Sequence, residues 1–147
     1  MGNSGKSSTT LLVLIPVFFV ISLIVVDTIF NYTENKRFKS TTEKIIREVL
    51  NDSEINYENY KNEIKRRYER NGYETEMLVV ESNDYDVYVE NEHIYFGIFS
   101  SIFNKKNKES EIKILGVPFK IRKNSVAQIK VNATYDYNNE IIFEYTK

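Results

Sequence analysis

The sequence predicts an α+β chain: a single N-terminal transmembrane helix continuing into an amphipathic helix, a second helix, and then an antiparallel β-sheet. Three observations predict it. Residues 11–26 form an uncharged run, Leu-Leu-Val-Leu-Ile-Pro-Val-Phe-Phe-Val-Ile-Ser-Leu-Ile-Val-Val. Apolar residues then recur at helical spacing as far as Asn71, and beyond Gly72 their spacing falls to two. The chain divides accordingly into a short polar leader (1–10), a transmembrane helix (11–30), a helical stalk (31–71) and an antiparallel β domain (72–147).

From Leu11 to Phe30 a helix is about 30 Å long, the thickness of one hydrocarbon core. A cleaved signal peptide would end in small residues such as Ala-x-Ala. Here the first alanine is Ala127, and Asp27, Thr28, Ile29 and Phe30 suit cleavage poorly, so the run reads as a retained anchor. A core helix of a soluble domain would carry a polar stripe, and Ser22 alone is not one. Pro16 removes one backbone hydrogen bond, which bends a helix in lipid without breaking it.

After the span, Glu34 to Leu50 reads as helix, with Phe38, Ile45, Ile46 and Val49 at helical spacing and Thr41 and Thr42 in the gap. Asn51-Asp52-Ser53 breaks it. A second helix runs from about Asn56 to Asn71, with Tyr57, Tyr60, Ile64 and Tyr68 on one face and Arg66, Arg67 and Arg70 on a solvated one. Gly72 after Asn71 is a C-cap. Strands follow over Thr75–Glu81, Tyr85–Glu90, His93–Phe99, Ile112–Leu115 and Val117–Ile121. Ser125–Tyr137 alternates most cleanly, with Ala127, Ile129, Val131, Ala133, Tyr135 and Tyr137 on one face. A turn at Asn138-Asn139 and a last strand over Ile141–Thr146 close the chain.

Charge and composition exclude several functions. The chain has 20 basic and 21 acidic residues; setting aside Lys6 and Asp27 leaves 19 and 20 beyond Phe30, without the basic excess of a nucleic-acid-binding module. With no cysteine there is no disulfide or thiolate metal site, and with His93 as the one histidine there is no histidine cluster. Asp84, Asp86, Glu90 and Glu92 hold a hard cation only if loops gather them. No cofactor and no small-molecule substrate is indicated, and the chain reads as a non-enzyme. Seven acids and no Lys or Arg lie between Gly72 and Phe103, and eight bases with two acids between Asn104 and Lys130. Acidic strands lying beside basic ones would pair across a sheet. Asn104 to Glu109 reads as a loop tip. The expected partners are membrane lipid and other protein subunits.

Gly5-Lys6-Ser7 is too close to Met1 to complete a P-loop, and Lys6 stands where a myristoylation signal needs Ser or Thr. A different pattern fits: Gly5, a polar stretch to Thr10, Pro16 six residues later and Asp27 eleven beyond that. In this the chain resembles the TadE-like, pilin-related proteins of tight-adherence (Flp-type) secretion systems over residues 5–50. The resemblance implies leader processing between Gly5 and Lys6, helix packing shaped by Thr10, Pro16 and Asp27, and a structural or accessory part in a pilus-like or secretion assembly. It also implies an extracytoplasmic C-terminal domain. The charge count argues the reverse, because Lys36, Arg37, Lys39, Lys44 and Arg47 follow the span and only Lys6 precedes it. Thr10 stands where those proteins carry a Glu that pairs with a neighbouring subunit's N-terminus, which favours an accessory subunit over the main one. The alternative is a membrane-tethered β-rich binding or sensor module unrelated to pili.

Overall fold

The computed structural model describes residues 4–83, 86–95, 97, 108–114, 117–123 and 125–146. Helix α1 (Ser4–Leu50) is continuous over 47 residues, about 70 Å, and passes through Pro16 unbroken. The polar residues before Leu11 are therefore its first turns. A 3-10 turn at Tyr57–Asn59 leads into α2 (Tyr60–Arg70). Six strands follow: β1 (Val79–Ser82), β2 (Asp86–Tyr95), β3 (Lys108–Ile114), β4 (Val117–Lys123), β5 (Ser125–Tyr135) and β6 (Ile141–Tyr145). Strands β1-β2-β5-β6 make one antiparallel sheet in that order, and β3-β4 make a separate hairpin. The α+β architecture with its long apolar N-terminal helix is thus the one the periodicities predict.

The second half of α1 lies across β2 and β5, and α2 lies beside it over β1. Phe38, Ile45, Ile46, Val49 and Leu50 of α1 meet Ile64 and Tyr68 of α2 and the inner residues Val87, Val89, Ala127, Ile129, Val131 and Ala133 of the sheet. Polar residues seal this core. Thr42 Oγ1 and Tyr68 Oη share a buried hydrogen bond of 2.6 Å. Arg67 of α2 meets Glu48 of α1 at 2.5 Å and Glu63 of its own helix at 2.8 Å. The Tyr135 hydroxyl donates to the last carbonyl of α1, that of Leu50, at 2.8 Å. Arginines expected to be wholly solvated include one, Arg67, that clamps the two helices.

Gly72 ends α2 as expected. Its φ is +77°, the Tyr73 N–H reaches the Tyr68 carbonyl and the Gly72 N–H reaches that of Glu69, each at 3.0 Å. This is a Schellman cap, with the Tyr73 ring 6.3 Å from the Tyr68 ring as its apolar contact.

Several strand boundaries differ from expectation. Thr75 to Leu78 is not strand: the Leu78 N–H turns back to the Thr75 carbonyl at 3.3 Å, and pairing with β2 begins at Val79. Asp86 to Tyr95 is one strand where two were predicted, because buried Asn91 continues the inward row of Val87 and Val89. Its side chain donates to the Glu74 carbonyl at 3.1 Å and accepts from the Glu92 N–H at 2.9 Å, so a polar residue fits a core position. Tyr137 is in a turn and 95% exposed, away from the inward row of β5. The Asp136 carboxylate accepts the Asn138 and Glu140 N–H groups, and Asn139 takes φ +61°. Lys108 and Glu109 lie in β3, where a loop tip was expected. Tyr85, Phe96, Ile98, Phe99, Asn104 to Asn107 and Leu115 lie outside the described residues.

Candidate functional site

The feature with functional content is the division of α1 into two halves with opposite surroundings. From Leu11 to Phe30 its large apolar residues are 42–71% exposed, apart from half-buried Leu23. The helix is long and apolar enough to cross a membrane. An apolar surface of this extent is far beyond what one domain leaves facing water. Hydroxyls within it are satisfied internally: Ser22 donates to the Phe18 carbonyl and Thr28 to the Ile24 carbonyl, both at 2.8 Å. Folding back in this way removes the cost of a lone hydroxyl in hydrocarbon.

The packed half carries one stripe on its sheet-facing side: Asp27, Asn31, Glu34, Phe38, Thr42, Ile45 and Val49, each buried or half-buried. The stripe is polar at its lower end. Asp27 is only 6% exposed and accepts from Asn31 Nδ2 at 3.3 Å. Asn31 Oδ1 is buried without a hydrogen-bond partner.

The end of β2 docks just above. The Tyr95 ring lies 6.1 Å from Phe30, and Asn35 Nδ2 donates to the Tyr95 hydroxyl at 3.4 Å. Burial raises the Tyr95 phenol above its ordinary range. His93 sits inward of it, 4.7 Å from the Tyr73 ring and 5.7 Å from Phe38. The lone histidine is therefore a member of an aromatic cluster, as a place in an apolar strand suggests. Exposed Tyr32 and the cations Lys36, Arg37 and Lys39 follow within the next two turns. Apolar helix, aromatic collar and basic turn succeed one another over a few residues, the order found where a helix leaves a bilayer.

The predicted site residues are not gathered at one point. Gly5 and Lys6 are in the first turns of α1, Thr10 is exposed at the start of the apolar stretch, Pro16 lies within it and Asp27 at its end. Gly5 and Asp27 are about 33 Å apart along the axis. They share only the helix. Asn31, Asn35 and Tyr95 complete the collar and carry no local sequence signal, since Tyr95 is brought in from 60 residues away.

Among the described residues no three His, Cys, Asp or Glu side chains converge to hold a metal. On β2, Glu90 pairs with Lys130 of β5 at 3.1 Å and Glu92 accepts from Gln128, so acidic and basic strands do meet across the sheet. Lys130 first, and then Tyr88, hydrogen-bond Glu90 and hold its carboxyl below the ordinary range. An open cleft of about 570 Å³ runs along α1, lined by Tyr32, Asn35, Lys36, Lys39, Ser40 and Glu43. Its one carboxylate, Glu43, is taken up by the Tyr145 hydroxyl, and Lys39 sits 3.7 Å over the Tyr145 ring. No family model, no curated protein and no solved structure matches the chain.

Proposed function

We propose that this chain is a single-pass membrane protein and a non-enzymatic structural or accessory subunit of a pilus-like or secretion assembly. The observation that carries the reading is the continuity of α1. A tether needs only a flexible link between anchor and domain. Here the same helix is apolar and uncovered for its first half and bolted to a sheet for its second, with no break at Phe30 or Asn31. Such a helix fixes the height and tilt of the domain relative to whatever packs around its apolar half. Gly5, Pro16 and Asp27 at their spacing support a pilin-related origin. Thr10 in the place of a pairing carboxylate supports an accessory role. On this reading the leader is cut between Gly5 and Lys6, and the domain faces away from the cytoplasm.

The chain has no cysteine, so single cysteines report cleanly. Leu14→Cys and Phe18→Cys in native membranes should give disulfide-linked oligomers on mild oxidation, and intact mass of the extracted protein should lack residues 1–5. A full-length N-terminus together with monomers only would leave a tethered binding module as the better description. Protease protection of the sheet domain in intact cells would place it in the cytoplasm and contradict the assembly role.

A further inference from the structure

We infer that the open cleft on α1 is a headgroup site for an anionic phospholipid; this rests on α1 being the anchor. Tyr32, Lys36, Lys39 and Glu43 of the cleft recur at intervals of four, three and four, so they share one flank of the helix. The same intervals carried toward the N-terminus reach Thr28, Val25 and Ile21, all exposed. That flank therefore runs without a break from the uncovered apolar half into the cleft. A molecule seated along it meets apolar side chains below and two ammonium groups above, which matches the build of a phospholipid. An acidic segment of a partner protein would answer the charge and leave the apolar flank unused.

Height and charge fit the same occupant. Lys36 and Lys39 lie six and nine residues past Phe30, about 9 and 14 Å along the axis. The headgroup layer extends about 5–8 Å beyond the hydrocarbon core. Side chains on a helix lean toward its N-terminus, here toward the bilayer, which brings the Lys36 ammonium to headgroup level with Lys39 just above it. Three residues apart, they are neighbours on the helix surface, with about 5–6 Å between Cβ atoms, near enough to share one phosphate. Lys39 is already held 3.7 Å over the Tyr145 ring, so it has less freedom left to lose when an anion binds. Glu43 is engaged by the Tyr145 hydroxyl at the end of the cleft away from the bilayer. Asn35 Nδ2 donates to the Asn31 carbonyl and the Tyr95 hydroxyl, which leaves the amide oxygen to accept from a headgroup hydroxyl. Tyr32, exposed and two residues past Phe30, stands where tyrosines gather at a membrane boundary.

The chain has no tryptophan, so one introduced indole reports on the lipid beside it. The full chain carrying Val25→Trp, on the flank below the cleft, is placed in vesicles of phosphatidylcholine and phosphatidylglycerol in which one lipid or the other has brominated acyl chains. Bromine quenches the indole on contact, so the two mixtures together give the lipid composition at that flank. Phosphatidylglycerol should be favoured there about five-fold or more relative to the bulk, the value of one lysine near a headgroup. Lys36→Gln combined with Lys39→Gln should return position 25 to the bulk ratio. At Val26→Trp, about 100° round the helix and below Arg37, the preference should be smaller and unmoved by the double change. If position 25 reports the bulk ratio with both lysines present, or keeps its preference without them, the headgroup site is wrong and the anchor stands. Equal preference at both positions, lowered equally by the double change, reduces the cleft to a diffuse basic surface and also overturns the site. If neither indole is quenched by either lipid, the anchor reading fails and the headgroup site with it.

Discussion

The hydrogen bond between Thr42 and Tyr68 joins two side chains from different helices, both fully buried. Its two ends are not equivalent. Tyr68→Phe leaves a helical threonine hydroxyl that can fold back onto the carbonyl one turn earlier, as Ser22 and Thr28 already do. Thr42→Val leaves a buried phenol with no such recourse, a loss of about 1–3 kcal/mol. Denaturant unfolding of the full chain in detergent should thus rank Thr42→Val as the costlier single change, and the double variant should cost less than the two added together. Burial raises the Tyr68 phenol above its ordinary value of 10.0, so the folded state holds its proton more tightly than the unfolded one. That contribution is complete below pH 10 and declines above it, and the alkaline decline should be smaller in Tyr68→Phe. Glu63 has the opposite sign. Hydrogen bonds from Arg66 and then Arg67 hold its carboxyl below 4.5, so its contribution is present above that range and is lost as pH falls through the lowered value. Glu63→Gln should flatten the acid limb of the stability profile. The faces carrying Tyr68 and Ile45 were legible from spacing alone, but the choice of Thr42 as partner was not, because it depends on how two helices meet.

Elements were legible where a local signal is strong and illegible where a distant partner decides. Gly72 is the strong case. Its positive φ is required by the cap, and a Cβ added there would meet nothing within 4 Å, so Gly72→Ala isolates backbone strain from crowding. A loss of about 1 kcal/mol is expected, read as a lower unfolding midpoint with an unchanged denaturant slope. A clash elsewhere in the chain would alter the slope or cost several times more. Thr75 to Leu78 is the contrary case. Its composition suits a strand, yet a turn forms, and the Glu74 carbonyl is claimed by Asn91 from the middle of β2. The same Asn91 made one strand look like two. In both places the buried side chain of Asn91, bonded to a carbonyl 17 residues earlier, overrode the alternation, and no short window of sequence shows that pairing. Tyr137 continued the alternation of β5 on paper only, because the Asp136 carboxylate caps the turn that ends the strand.

At the scale of the molecule, composition alone marked the apolar half of α1, since a charge-free run needs no partner to be recognised. The collar at its end was beyond the sequence, because Asn35 and Tyr95 meet only once β2 lies along the helix. What the collar accomplishes follows from helix geometry. The stripe from Asp27 to Val49 keeps one face of α1 against the sheet, and the uninterrupted backbone carries that orientation into the apolar half. Rotating the helix at Phe30 by one residue would turn the two halves about 100° relative to each other. Inserting Gly-Gly-Gly between Thr28 and Ile29 removes this coupling and parts Asp27 from Asn31, while leaving the apolar residues and the packed core from Phe38 onward in place. If α1 serves as a rigid lever in an assembly, the insertion variant should remain in the membrane fraction and keep its folded domain, judged by a cooperative unfolding transition whose midpoint falls by no more than the loss of the Asp27–Asn31 hydrogen bond. It should also lose the disulfide-linked oligomers of Leu14→Cys, or exchange them for a broad distribution. If α1 is only a tether, the oligomer pattern will be the same with and without the insertion, because a tether transmits no orientation.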